Sequence, residues 1–210
     1  MTVSAPSLPL PSRPAGWIAR TAATAVLTLA AVLVLLDQSG YRGWEAWSAG
    51  HATAWVTAMP AYIYRSTFFV DVGAPDIFGL RVTGECTSAI IIVGILGLTA
   101  LLTLTTRLPL RRLGLATLLS AGSFYLLNLA RLVGIALATR QWGLDTGYYW
   151  SHIWAGGFVT IIGVAGVLAL YLMVLGRIRR RHTTTGGATR TATGPEVPSR
   201  PVSARWPTPA

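Results

Sequence analysis

The chain has no lysine, one cysteine and little charge of any kind: only 11% of its 210 residues are charged. A soluble domain carries about 25%. With a mean hydropathy of +0.54, that scarcity excludes a water-soluble globule. One cysteine excludes an internal disulfide framework, a thiol-pair redox site and a Cys-rich zinc site. Only three histidines are present, His51, His152 and His182, and they cannot all lie on one side of a bilayer. No metal site and no cofactor are therefore expected. No longer internal repeat is apparent, which argues against a stand-alone transporter built from inverted halves. Seven acids face seventeen arginines, giving a net charge of +10. On a soluble chain that surplus would suggest nucleic acid. Here most arginines flank apolar runs, so membrane orientation accounts for them and no nucleic-acid partner is expected. Arginine without lysine, in an Ala- and Gly-rich chain, points to a GC-rich bacterial genome.

What is present is a series of long apolar runs. A spanning helix needs about 20 mostly apolar residues. Four segments qualify: 17–36, 88–106, 113–139 and 152–175. No small-x-small cleavage site follows the first, so it reads as an uncleaved helix. Glycines 94, 97, 114, 122, 134, 156, 157, 163 and 166 recur within these spans, where small residues let helix backbones approach. Arg13 and Arg20 open the first run. Arg107, Arg111 and Arg112 fill the loop after the second, and the RIRRRH stretch (177–182) follows the fourth. By the positive-inside rule these three places are cytoplasmic. The expected fold is an all-α integral membrane protein of about four transmembrane helices. Both termini are then cytoplasmic, and an aromatic-rich outer segment covers 37–87. Within that segment, 51–64 reads as an interfacial or re-entrant helix. The domain plan is a disordered N-terminus (1–16), a membrane-embedded domain (17–182) and a disordered tail (183–210).

Three side chains stand out. Cys86 sits just before the second helix, where the helix dipole and free N–H groups favour a thiolate and can bind an oxyanion; the alternative is a buried spectator thiol. Arg131 lies inside the third run, roughly 12 Å below its outer end at 1.5 Å per residue. A charge there is costly and marks a functional site by default, unless it only snorkels or pairs structurally. Asn128 shares its helix face. His152 opens the fourth helix at the outer surface, as an acid/base or a hydrogen-bonded bystander. All three fall toward the outer face. A thiol, an imidazole and a guanidinium are what acyl transfer through a thioester needs.

The pattern carried by GECTSA (84–89), NLAR (128–131) and SH (151–152) resembles the exosortase/archaeosortase family, in a compact form. The resemblance covers roughly 60–175. It implies a membrane cysteine protease/transpeptidase with Cys86 as nucleophile, Arg131 as oxyanion or substrate-positioning residue and His152 as general acid/base. Asn128, Thr87 and Ser88 are supporting candidates. The family commonly has glycine where this chain has Ser88. It further implies an exported protein substrate ending in a short motif, a transmembrane helix and a basic cluster. That substrate would be cut at the extracytoplasmic face of the cell membrane and passed to an acceptor, often a membrane lipid or glycan-bearing molecule. The competing reading is a non-enzymatic multi-helix scaffold or assembly subunit.

Topology is directly testable. Reporter fusions within 108–112 and after 182 should report the cytoplasm, and one near 145 the exterior. A cytoplasmic signal at 145 would place Cys86 and His152 on the wrong side for an exported substrate.

Overall fold

The computed structural model describes residues 14–73 and 77–185; the sequence expectations for 1–13 and 186–210 lie outside the described residues. The chain is mostly helical. Helix α1 (Pro14–Leu36) leads into α2 (Gln38–Thr57), three short strands follow, and then come α3 (Ala89–Thr105), α4 (Leu110–Trp142) and α5 (Gly156–Thr185). Two π-helical turns, Gly143–Tyr148 and Trp150–Ala155, join α4 to α5.

Three helical stretches are long and apolar enough to cross a membrane: Gly16–Leu36, Leu110–Tyr148 and Trp150–Gly176. The expected second span is present as a shorter apolar helix, α3. At 17 residues it rises roughly 26 Å, against a hydrocarbon core of about 30 Å. Leucines and isoleucines project outward along these helices, among them Leu29, Leu101, Leu118, Leu126, Ile161 and Leu172. An outer surface so apolar is at home in lipid rather than water.

Helix α1 packs along α3, and one arginine fixes the pairing. Arg20 Nη1 donates to the carbonyls of Thr103 (3.0 Å) and Thr106, and Nη2 to that of Leu108 (2.7 Å). The last carbonyls of a helix have no partner within it, so the charge that the sequence offers as a topology signal is also a C-terminal cap. A second clamp crosses the bundle interior. The Thr99 hydroxyl lies 2.7 Å from that of Thr117 and 2.9 Å from the buried Tyr171 phenol, joining α3, α4 and α5.

The outer segment departs from the all-α expectation. Asp37 ends α1 and caps α2, its carboxylate accepting from Gly40 N at 2.9 Å. Helix α2 runs straight to Thr57 and stops at Ala58, which adopts φ 55°. Residues 62–64, expected to belong to an interfacial helix, instead form strand β1 (Tyr62–Tyr64). It pairs antiparallel with β2 (Thr67–Val70), which pairs antiparallel with β3 (Phe78–Arg81). The reason is period-two alternation: Phe68, Val70, Leu80 and Val82 turn inward while their neighbours face out. Read as an aromatic belt, the segment hides that alternation. Gly50 lets the sheet sit on α2, since a Cβ there would stand 2.8 Å from Ile63 and 3.1 Å from Phe68. The inward residues pack with Cys86 against Leu132, Ile135 and Ala136 of α4, and Arg140 Nε pairs with Asp71 at 3.0 Å.

The glycines divide. Gly163 lies so close to Leu127 that a Cβ would collide with it, whereas Gly94, Gly97, Gly114, Gly122, Gly134, Gly157 and Gly166 face open space. Close helix approach therefore accounts for few of them.

The two clamps differ in expected weight. Arg20→Ala should destabilise the detergent-solubilised protein by about 2 kcal/mol, the range for charged hydrogen bonds. Tyr171→Phe should cost only about 0.6 kcal/mol, the average for interhelical bonds in membranes. Unfolding midpoints in mixed micelles measure both.

Candidate active site

Cys86 and His152 meet. The cysteine is buried, 4% exposed, and its Sγ lies 3.6 Å from His152 Nδ1 and 3.9 Å from Nε2. A sulfur on the lone-pair axis of one ring nitrogen would be much farther from the other. The near-equal distances therefore place Sγ off both axes, so a side-chain rotation is needed to align proton transfer. Catalytic hydrogen bonds often tighten only when substrate binds. The imidazole plane is set by Tyr148, stacked on it at 4.9 Å and 8°. Both rings belong to the π-helical turns, not to a regular helix start as the sequence suggests. Such turns are rare and occur frequently at functional sites.

Around the thiol the chain forms a polar cluster. Asn128 Nδ2 donates to the Cys86 carbonyl and to Glu45 Oε1, both at 3.0 Å. The same carboxylate oxygen accepts from Ser88 N (2.8 Å) and Ser88 Oγ (2.7 Å). Tyr41 OH lies 2.8 Å from Ser88 Oγ. Burial pushes the Tyr41 phenol up to about 12, with Glu45 and Tyr125 adding to the rise and the Ser88 bond opposing it. Tyr41 thus keeps its proton through neutral and mildly alkaline pH. Thr87 is half-buried and its Oγ1 accepts from Ala89 N at 3.2 Å.

The α3 N-terminus differs from its expected role. Ser88, its N-cap, makes no side-chain capping bond, and its N–H is spent on Glu45. With a carboxylate already seated there, the helix end offers a thiolate less than the dipole argument assumes.

Arg131 sits one turn beyond Asn128. Its Nη1 reaches Asn128 Oδ1 at a long 3.5 Å, and its Nε is buried without a partner. Its guanidinium lies over the start of α5, where a Cβ on Gly156 would stand 2.8 Å from Nε. Beside it an apolar cavity of about 780 Å³ opens between α4 and the π turns, lined by Leu127, Ile135, Trp142, Trp150 and Trp154. Arg131 is thus linked to Cys86 through Asn128, with donor capacity to spare.

Sequence reading finds Cys86, Asn128, Arg131 and His152, and the structure brings them together. It misses Glu45, Tyr41 and Tyr148. Glu45 is detectable in principle, as an acid on the small-residue face of α2 that carries Ala46, Ala49, Gly50 and Thr53. Among the described residues no group of three His, Cys, Asp or Glu could hold a metal ion.

No family model matches the chain, and no curated protein or solved structure matches it either. Function must therefore be argued from the side chains themselves.

The burial of Cys86 carries its own test. A small reagent such as methyl methanethiosulfonate should modify it in intact membranes far faster than a bulky sulfonated maleimide. Equal rates would mean that the thiol is open to solvent.

Proposed function

We propose that this chain is a membrane cysteine peptidase/transpeptidase of the exosortase type. The observation that carries the proposal is the 3.6 Å approach of Cys86 Sγ to His152 Nδ1, between residues 66 apart in sequence. In this reading His152 takes the Cys86 proton and the thiolate attacks the scissile carbonyl. Negative charge develops on that oxygen, and Arg131 supplies the counter-charge through donors it does not use internally. His152 then returns its proton to the departing amine, leaving a thioester on Cys86. An acceptor nucleophile, or water, attacks the thioester, passes its proton to His152 and restores the thiol.

The chain is read as crossing the cell membrane four times, with α3 as the shortest span and both termini cytoplasmic. The Arg20 cap supports this. It holds the start of α1 and the end of α3 at one level, beside Arg107, Arg111 and Arg112. The sheet, Cys86 and His152 are then extracytoplasmic, on the side an exported protein reaches. The proposed substrate ends in a short motif, a transmembrane helix and a basic cluster, and is transferred to an acceptor such as a membrane lipid. The apolar cavity beside Arg131 supports a substrate that is itself embedded in lipid. The burial of Cys86 within the core cluster favours the rival reading, a multi-helix scaffold in which the thiol only packs.

Substitution separates the two. Cys86→Ser replaces a thiol by a far less acidic hydroxyl that the site is not built to activate. It should abolish processing of a co-expressed exported protein bearing such a C-terminal signal, and Cys86→Ala should do the same. His152→Ala should cost roughly 10²-fold or more. Arg131→Lys keeps the charge but loses the planar fork, leaving a severe defect. Double variants should be little worse than the worst single one. The readout is uncleaved precursor in membranes holding equal amounts of enzyme. Normal processing by Cys86→Ala would leave the scaffold standing.

A further inference from the structure

We propose that Glu45 is the positioning residue of this site, holding Cys86 toward His152 through Ser88 and Asn128. The inference rests on the peptidase reading for its catalytic consequence, but not for its geometry.

Glu45 is 2% exposed. Burying a carboxylate is costly unless donors satisfy it. Among the described residues its hydrogen-bond partners are all uncharged: Ser88 N, Ser88 Oγ and Asn128 Nδ2, gathered on Oε1. Its Oε2 is buried without a partner. An apolar side chain on the same face of α2 would fill this space without that penalty, so packing alone does not account for a carboxylate here.

Its geometric effect is specific. Two of the three donors belong to Ser88, so Oε1 pins the residue that joins the Cys86 turn to α3. The third fixes the Asn128 amide. That amide has two protons, one given to Glu45 and the other to the Cys86 carbonyl. With Nδ2 committed, Oδ1 must turn to Arg131, which it meets. One carboxylate oxygen therefore determines where the nucleophile's backbone sits and which way the amide beside the guanidinium points. Glu45 touches no reacting atom in this arrangement. It acts through Asn128 and Ser88, from a segment that sequence reading places only in the aromatic-rich outer region 37–87.

The test compares three single full-length variants and one double variant in membranes, by substrate processing and by alkylation of Cys86 with iodoacetamide. Glu45→Leu removes the acceptor and keeps the volume. Its kcat should fall about 10²-fold, as expected when a reacting group is misplaced by about 1 Å, with KM and enzyme amount unchanged. Glu45→Gln keeps an oxygen at the Oε1 position and should restore most of kcat. Asn128→Ala severs the Cys86 carbonyl from an intact Glu45–Ser88 pair. It should reproduce the Glu45→Leu loss, and the double variant should be no worse than either single one. Alkylation needs no substrate: freeing the turn should raise the Cys86 rate several-fold in Glu45→Leu and Asn128→Ala, with Glu45→Gln at the wild-type rate. Additive losses, a Gln variant as inactive as Leu, or unchanged alkylation in both Glu45→Leu and Asn128→Ala would overturn the proposal. Normal processing by Cys86→Ala with the alkylation pattern intact would instead remove the peptidase reading and leave Glu45's positioning role. If Glu45→Leu fails to insert, Glu45→Met, which also removes the acceptor at similar volume, takes its place with the same expected outcomes.

Discussion

Three parts of the molecule converge on the side-chain amide of Asn128: the carboxylate on α2, the backbone of Cys86 ahead of α3, and the guanidinium one turn along α4. Each is polar, and each lies where water is scarce. Unpaired, any of them would cost on the order of 1–3 kcal/mol or more. An amide has two donors and one acceptor, and here each is directed at a different partner. The arrangement cannot slide along α4 without breaking all three, because residues on a helix change face with every step. The placement of α2, and of the sheet resting on its Gly50 face, follows from that constraint.

The legible part of the site was the part that broke a pattern. Arg131 and Asn128 interrupt the third apolar run, Cys86 stands just before the second, and His152 opens the fourth. Hydropathy finds such residues because their cost in lipid is high. Glu45 carries no such signal, for the converse reason. It lies among Trp44, Trp47 and Ser48, where polar and aromatic residues look ordinary at a membrane surface, and only the fold turns its side of α2 inward. Tyr148 stands beside Tyr149 and Trp150, and in such company one more ring carries no distinguishing signal. Its stacking on His152 depends on the π-helical winding of the link, and residue spacing for an α-helix does not predict that winding. The apolar runs themselves were close to the observed helices, since lipid demands length and apolarity above all. The β-sheet is not legible in the sequence, because its strands are three or four residues long, too short for alternation to outweigh composition.

Arg20 shows how one residue can satisfy two readings. Counted as a positive charge, it orients the first helix; placed in space, it donates to the carbonyls that end α3. Only the second role depends on the partner helix, so only the structure discloses it. The glycines show the reverse. A helix–helix interpretation suited all nine equally, yet the structure places few of them against a neighbouring helix. Small residues permit close packing without requiring it.

The position of the reacting groups follows from where irregular backbone can be satisfied. A short sheet and two π turns leave more N–H and C=O groups needing partners than a continuous helix does, so they belong at a bilayer boundary rather than in its core. Cys86 and His152 are carried by this irregular layer, which can bend them toward each other in a way two rigid helices could not. Arg131 rises from the regular helix below, its stem in the apolar bundle and its head beneath the layer. In the proposed peptidase reading, a scissile carbonyl would meet a thiol and an imidazole held by irregular backbone and a charge held by a regular helix. The apolar cavity lies beside Arg131, between α4 and the π turns. In that reading its tryptophans, with Leu127 and Ile135, would meet the hydrophobic flank of an incoming chain. Access through lipid and chemistry at the boundary would then be two consequences of one arrangement.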